Sequence, residues 1–224
     1  MKDYKYTVCV QGRNIFIPVI KKYVMDIDTL SGIIFFVIFS GYNFLYFVYV
    51  NKNPIKTQKG RHNLYRISWI ENVTKRGRGM LAIQQIRNMT TITTFLASST
   101  LIFMGVVVSF TRSAFPIQQD YADYKLSLLI GIISLAFFNF LFTLRIANEI
   151  SILIESSPSK IEELEQMSAV EFMAKKINQA FLHHTLGMRC LYYSIPVFFW
   201  FFDPLIMIII TIILTCGIAR YLDF

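Results

Sequence analysis

Apolar residues in this chain fall into four blocks, each near the length a helix needs to cross a bilayer, about 20 residues for a ~30 Å hydrocarbon core. The first, 29–50 (TLSGIIFFVIFSGYNFLYFVYV), holds no charge. Its Tyr42, Tyr46 and Tyr49 lie toward the C-terminal end, where interfacial aromatic belts form. The second, 92–110, is rich in Thr and Ser and also uncharged, and the third, 126–146, carries Asn139 and ends at Arg145. The fourth, 194–219, exceeds a single crossing and is interrupted by Asp203-Pro204. The pattern predicts an all-α integral membrane protein, a four-helix bundle with two amphipathic cytoplasmic helices. Residues 1–28 read as an N-terminal tail and 29–224 as a single membrane domain.

The connecting segments are periodic as well. In 51–91, Leu64, Ile67 and Ile70, then Leu81 and Ile86, recur at helical spacing on either side of Gly77 and Gly79. That spacing predicts two helical pieces hinged at the glycines. They are expected along the bilayer surface, with Lys75, Arg76 and Arg78 toward anionic headgroups. In 147–190, Ser159 reads as an N-cap, with Glu162, Glu163 and Glu165 in the first turn and Lys175 and Lys176 further on. This charge order suits the helix dipole and predicts one amphipathic helix over 159–186, ended or bent at Gly187.

Composition removes the soluble classes. Hydrophobic residues are 54% and charged residues 16% of the 224 positions, against roughly 25% charged in soluble domains. The net charge of +8 is concentrated: nine Lys or Arg lie between the first two blocks, against Glu71 alone. The loop 111–125 has only Arg112 and Lys125, against Asp120 and Asp123. The positive-inside rule therefore places 51–91 in the cytoplasm of a cell whose inner membrane holds the protein. Four crossings would then put 147–190 there too and both termini outside. Five Lys or Arg in the tail oppose this, but the acidic lead MDIDTLSGIIFF lets Met25 serve as an alternative start. No signal-peptide pattern precedes the first block. Because the positive excess sits in one membrane-facing loop, anionic lipid headgroups are the expected partner and nucleic acid is not.

Three constellations could carry chemistry. Gln84, Arg87, Asn88 and Thr91 follow i, i+3, i+4, i+7 spacing, and the line continues through Thr94 and Ser98. It reads either as a vestibule facing the cytoplasm, in which Arg87 holds an anion or lipid phosphate, or as helix–helix contact with an interfacial anchor. Arg189, Tyr193, Pro196, Trp200 and Asp203 share a helical face if 189–203 is one helix, with Arg189 at the interface. Asp203 would then lie about 21 Å away, too far for an ion pair. At that depth its carboxyl would be protonated or bonded to Asn139 or Ser98. Alternatively, Asp203-Pro204 is an N-cap and N1 pair that starts a short last helix. The third, adjacent His183-His184 with only His62 elsewhere, lacks the spacing of a ligand pair, so no metal is expected. Cys9, Cys190 and Cys216 have no redox or metal spacing and read as unpaired thiols. No phosphate loop, nucleophile elbow or triad order is present, so neither an enzymatic activity nor a cofactor is expected.

Two strings carry a family resemblance. MLAIQQIRNMTTITTFLASSTLIFMG and FLHHTLGMRCLYYSIPVFFWFFDP occur in the order of two segments typical of the domain of unknown function 599 family, which the chain resembles over most of 65–215. The resemblance implies a multi-pass membrane protein, usually with four crossings, and no established activity. The chain departs from the family pattern at Asp203, where glycine is usual. The overall reading is a non-enzymatic membrane component that binds lipid, a second copy of itself or a membrane partner. The alternative is a small oligomeric transporter or channel with a polar path along Arg87, Asn88, Asn139 and Asp203.

Overall fold

A computed structural model describes residues 7–10, 13–16, 27–114 and 122–224. Two short strands, β1 (Thr7–Val10) and β2 (Arg13–Phe16), pair antiparallel with Thr7 opposite Phe16. From residue 27 onward the described chain is helical. Met25 and Asp120 lie outside the described residues, as do the side chains of Cys9 and Arg112, so the alternative start and part of the 111–125 charge balance do too.

Helix α1 spans Ile27–Lys52, and a single 3-10 turn at Pro54–Lys56 leads to α2 (Gln58–Arg76). Thr57 starts α2 by accepting a hydrogen bond from the Gly60 amide at 3.2 Å. Gly77, in the left-handed region at φ 59°, ends it. The hinge between the two pieces thus falls at the glycines. The second piece, however, is not a separate helix: α3 runs unbroken from Gly79 to Ala114, through the second apolar block. Helix α4 (Ala122–Glu155) returns.

The expected helix over 159–186 is two helices. The first, α5 (Pro158–Glu165), ends at Gln166, whose φ of 53° closes it, and α6 begins after Ser168. Helix α6 spans Ala169–Phe199 and passes straight through Gly187. That glycine is needed for contact rather than for a bend: a Cβ there would stand 2.7 Å from Cε1 of Phe140. After Trp200, Asp203 caps the start of α7 (Pro204–Ile218), and a π turn at Ala219–Asp223 follows.

Four stretches are long and apolar enough to cross a membrane: Ile27–Lys52, Gly79–Thr111, Asp123–Glu155 and Pro204–Asp223. Large apolar side chains such as Phe44, Leu45, Phe95, Ile102 and Ile213 point away from the protein on their outer faces, as lipid-facing positions do. A further pass lies among them. Leu129, Ile133, Ala136 and Phe140 of α4 pack with Cys190, Tyr193, Val197 and Trp200 of α6, together with Ala97 of α3, Phe35 of α1 and Met207 of α7. A second core joins Ile70 of α2, Ile86 of α3, Ile150 of α4, Ile161 of α5 and Met173 and Ile177 of α6.

The ends of α6 define the topology. At one end Trp200 Nε1 donates to Asp28 Oδ1 (3.0 Å), and Lys125 Nζ meets the same carboxylate at 2.7 Å and the Trp200 carbonyl at 3.2 Å. The starts of α1 and α4 and the finish of α6 therefore meet at what we term the far end. At the basic end, beside α2, the chain closes: Gln58 Nε2 donates to the Tyr221 carbonyl, and the Phe224 ring lies against Tyr46 and Tyr49. The described chain thus traverses the molecule five times, in α1, α3, α4, α6 and α7. Among the described residues, α1 begins at the far end and residues 219–224 finish at the basic end. Charges and histidines in 175–189 hide the extra pass from a hydropathy reading. The structure accommodates them by packing rather than by lipid contact.

Candidate functional site

Four polar positions on α2 follow one helical face: Lys59, His62, Asn63 and Arg66, at i, i+3, i+4 and i+7. That face looks toward α6 and the π turn across a cavity of about 280 Å3, which His184, Arg189 and Asp223 also line. The cavity lies at the basic end, so its mouth is at the level where the apolar blocks give way to charge.

Its floor is neutral and closed. Arg189 is 4% exposed and Asp223 2% exposed, and the Nη2 of Arg189 pairs with Oδ1 of Asp223. The Nη1 of Arg189 donates to Oδ1 of Asn43 at 2.7 Å, and the guanidinium carbon lies 4.5 Å from the centre of the Tyr46 ring. Tyr42 completes the set by donating its hydroxyl to Oδ2 of Asp223. A buried guanidinium is costly to desolvate unless it is paired and hydrogen-bonded. Here a carboxylate, an amide and an aromatic face share that cost.

The walls differ. Lys59 Nζ lies 4.1 Å over the Phe47 ring, and the Arg66 guanidinium lies 3.8 Å over Phe181. Arg66 also donates to the side-chain oxygens of Asn63 (2.9 Å) and Asn178 (3.3 Å). Among the described residues neither cation reaches a carboxylate. Burial, with Arg189 and Arg66 adding repulsion and Asp223 partly opposing them, pushes the Lys59 ammonium down to about 7. Burial alone pushes Arg66 down to about 10. Two half-buried cations with neutral partners thus face an open cavity. Beyond Arg66 and Phe181 the cavity adjoins an apolar groove of about 220 Å3 lined by Trp69, Ile86, Met89 and Ile177.

The residues singled out from spacing lie elsewhere, with one exception. Arg189 forms the cavity floor, and its proposed face with Tyr193, Pro196 and Trp200 is buried. Gln84, Arg87, Asn88, Thr91, Thr94 and Ser98 do share one face of α3, but it points outward. The inward face is Ala82, Ile86, Thr93, Ala97 and Thr100. No vestibule is lined by the polar row. Asn139 donates to the Leu135 carbonyl (2.8 Å) and meets His183 Nδ1 through its oxygen (3.0 Å). Asp203 Oδ1 accepts from the amides of Leu205 (2.6 Å) and Ile206 (3.2 Å) at the far end, so it is a helix cap and bonds to neither Asn139 nor Ser98. Arg87, Asn88, Asn139 and Asp203 are therefore not brought together into a path. Among the described residues no group of three His, Cys, Asp or Glu is placed to hold a metal. Cys190 is buried and Cys216 exposed, both as free thiols.

Spacing alone contained a pointer to Lys59, His62, Asn63 and Arg66. In the sequence these residues merge into a basic loop, and only the α2–α6 packing separates the polar face from its neighbours. Asn43 and Asp223 carried no such signal, since each becomes meaningful only beside Arg189.

Residues 30–224 match the model of a family described as protein of unknown function, DUF599. No curated protein and no solved structure matches the chain.

Proposed function

We propose that this chain, which belongs to the DUF599 family, is a non-enzymatic membrane component that binds the anionic headgroup of a lipid in the cavity between α2 and α6. The observation that carries this reading is the pair Lys59 and Arg66, two cations that line an open cavity and reach no carboxylate among the described residues. Desolvating a cation without a counter-charge is costly, so the arrangement favours an anion arriving from outside the protein. The position at the basic end supports a lipid as the source, since nine Lys or Arg between the first two apolar blocks favour the cytoplasmic leaflet of the inner membrane, where anionic lipids gather. Arg87, Asn88 and Gln84, on the outer face of α3 near the same level, are weaker headgroup contacts because they stand free in an open surface. Transport is less well supported, because the residues that would form its path are dispersed over both ends and the outer surface.

The test uses the purified full chain in nanodiscs of phosphatidylcholine containing increasing phosphatidylglycerol, with bound lipid quantified by native mass spectrometry. The wild-type chain is expected to retain phosphatidylglycerol selectively, and the Lys59→Gln/Arg66→Gln double variant to lose most of that selectivity while Arg87→Ala keeps it. Equal retention by the double variant would place the lipid elsewhere.

A further inference from the structure

Resting on the headgroup reading above, we infer that the cavity is built for a phosphate monoester carried on a single apolar chain, in preference to a phosphodiester lipid. Charge is the first argument. The floor pair Arg189 and Asp223 sums to zero, so the site presents Arg66 and Lys59, whose protonated form an arriving anion favours. A phosphate monoester carries about −1.5 to −2 at neutral pH, whereas a diester carries a single negative charge. Two cations two turns apart on one face of α2 match the former.

Donor geometry is the second argument. Arg66 offers a planar fork with fixed directions and Lys59 a point charge with free rotation. His62, Gln58 and Thr185 also line the cavity. A monoester exposes three terminal oxygens to such a ring, while a diester gives up one of them to its second substituent. Shape is the third. The cavity and the apolar groove share Arg66 and Phe181, so one ligand can hold its phosphate in the first and its chain along Trp69, Ile86, Met89 and Ile177. The groove is small, about 220 Å3, and lined on its apolar side by Trp69, Ile86, Met89 and Ile177. Arg66 and the Phe181 ring it stacks on thus stand where a charged head and a greasy tail would meet.

The experiment compares lysophosphatidic acid with lysophosphatidylglycerol of the same acyl chain, alongside inorganic phosphate and glycerol 3-phosphate. Binding to the full chain in neutral nanodiscs is measured by calorimetry at pH 7. The expected result is at least tenfold tighter binding of lysophosphatidic acid than of lysophosphatidylglycerol, and no competition by inorganic phosphate or glycerol 3-phosphate at millimolar concentration. Lys59→Gln should narrow the preference to near unity, Lys59→Arg should keep it, and Trp69→Ala should weaken both lipids alike. Equal affinities that both fall in the Lys59→Gln/Arg66→Gln variant would overturn the monoester inference while leaving the headgroup reading intact. Affinities that do not respond to that double variant, with its thermal unfolding unchanged, would overturn both. Competition by free phosphate would assign the site to a soluble monoester and remove the role of the groove.

Discussion

The two ends of this molecule each gather buried or half-buried charge, and they treat it in opposite ways. At the far end Lys125, Asp28 and the Trp200 indole and carbonyl form a closed set, in which one carboxylate takes both the ammonium and the N–H. At the basic end Arg189 and Asp223 form a similar closed set with Asn43 and Tyr42, but Lys59 and Arg66 stand above it against neutral partners only. A closed set fixes how helices meet. Cations left over beside open space are instead available to something that the chain does not contain. The contrast separates charge used for assembly from charge used for binding, which composition alone merges into a single figure of +8.

The largest test of that division lies in the floor. Asp223→Asn leaves Arg189 buried without a counter-charge, and we expect a loss of about 3–5 kcal/mol of stability, the usual cost of breaking a buried pair from one side. Thermal unfolding in detergent measures it. If the loss is small, Arg189 belongs with the binding cations. Asp28→Asn should cost less, about 2 kcal/mol, because an amide still accepts from Trp200 and Lys125 keeps the Trp200 carbonyl. The same unfolding assay compares the two.

The wall cations should behave differently again. Lys59→Gln removes a half-buried charge that no carboxylate compensates, so stability should hold or rise while anion binding falls. The pH dependence gives a sharper signature. Lys59 holds its proton less tightly when folded than when unfolded, so stability rises as pH climbs from about 7 toward the ordinary lysine value. Anion affinity should fall over the same interval, because the ammonium that binds the anion is being lost. Arg189, Arg66, His62, His184 and Asp223 all face the same cavity, and Lys59→Arg isolates the lysine by flattening the alkaline part of the profile. The smallest effect belongs to Arg87→Ala, on the outer face of α3, where we expect a change within about 0.5 kcal/mol and no loss of anion binding.

Much of this fold is legible in the sequence, because hydrophobic length and turn chemistry are local properties. The glycine hinge, the apolar stretches and the helix start at Asp203-Pro204 all follow from neighbours within a few residues. The pass made by α6 is not legible in that way. Its Lys175, Lys176, His183, His184 and Arg189 lower its hydropathy, and what offsets them is distant in sequence: Glu149 takes Lys176 at 2.9 Å, Asn139 takes His183, and Asp223 takes Arg189. The polar row on α3 failed for a related reason. Periodicity finds the faces of a helix, but which face turns inward is decided by neighbouring helices, and here Ala82, Ala97 and Thr100 allow the closer approach.

The Arg189–Asp223 pair also makes one helix depend on a distant part of the chain for its charge balance. The two residues are 34 positions apart, with the tight reversal at Asp203 between them. The charge balance of α6 is therefore completed only by the end of the described chain, once residues 204–223 lie folded back beside it. Helix α4, against which Gly187 lets α6 lie closest, supplies packing there but no counter-charge for Arg189.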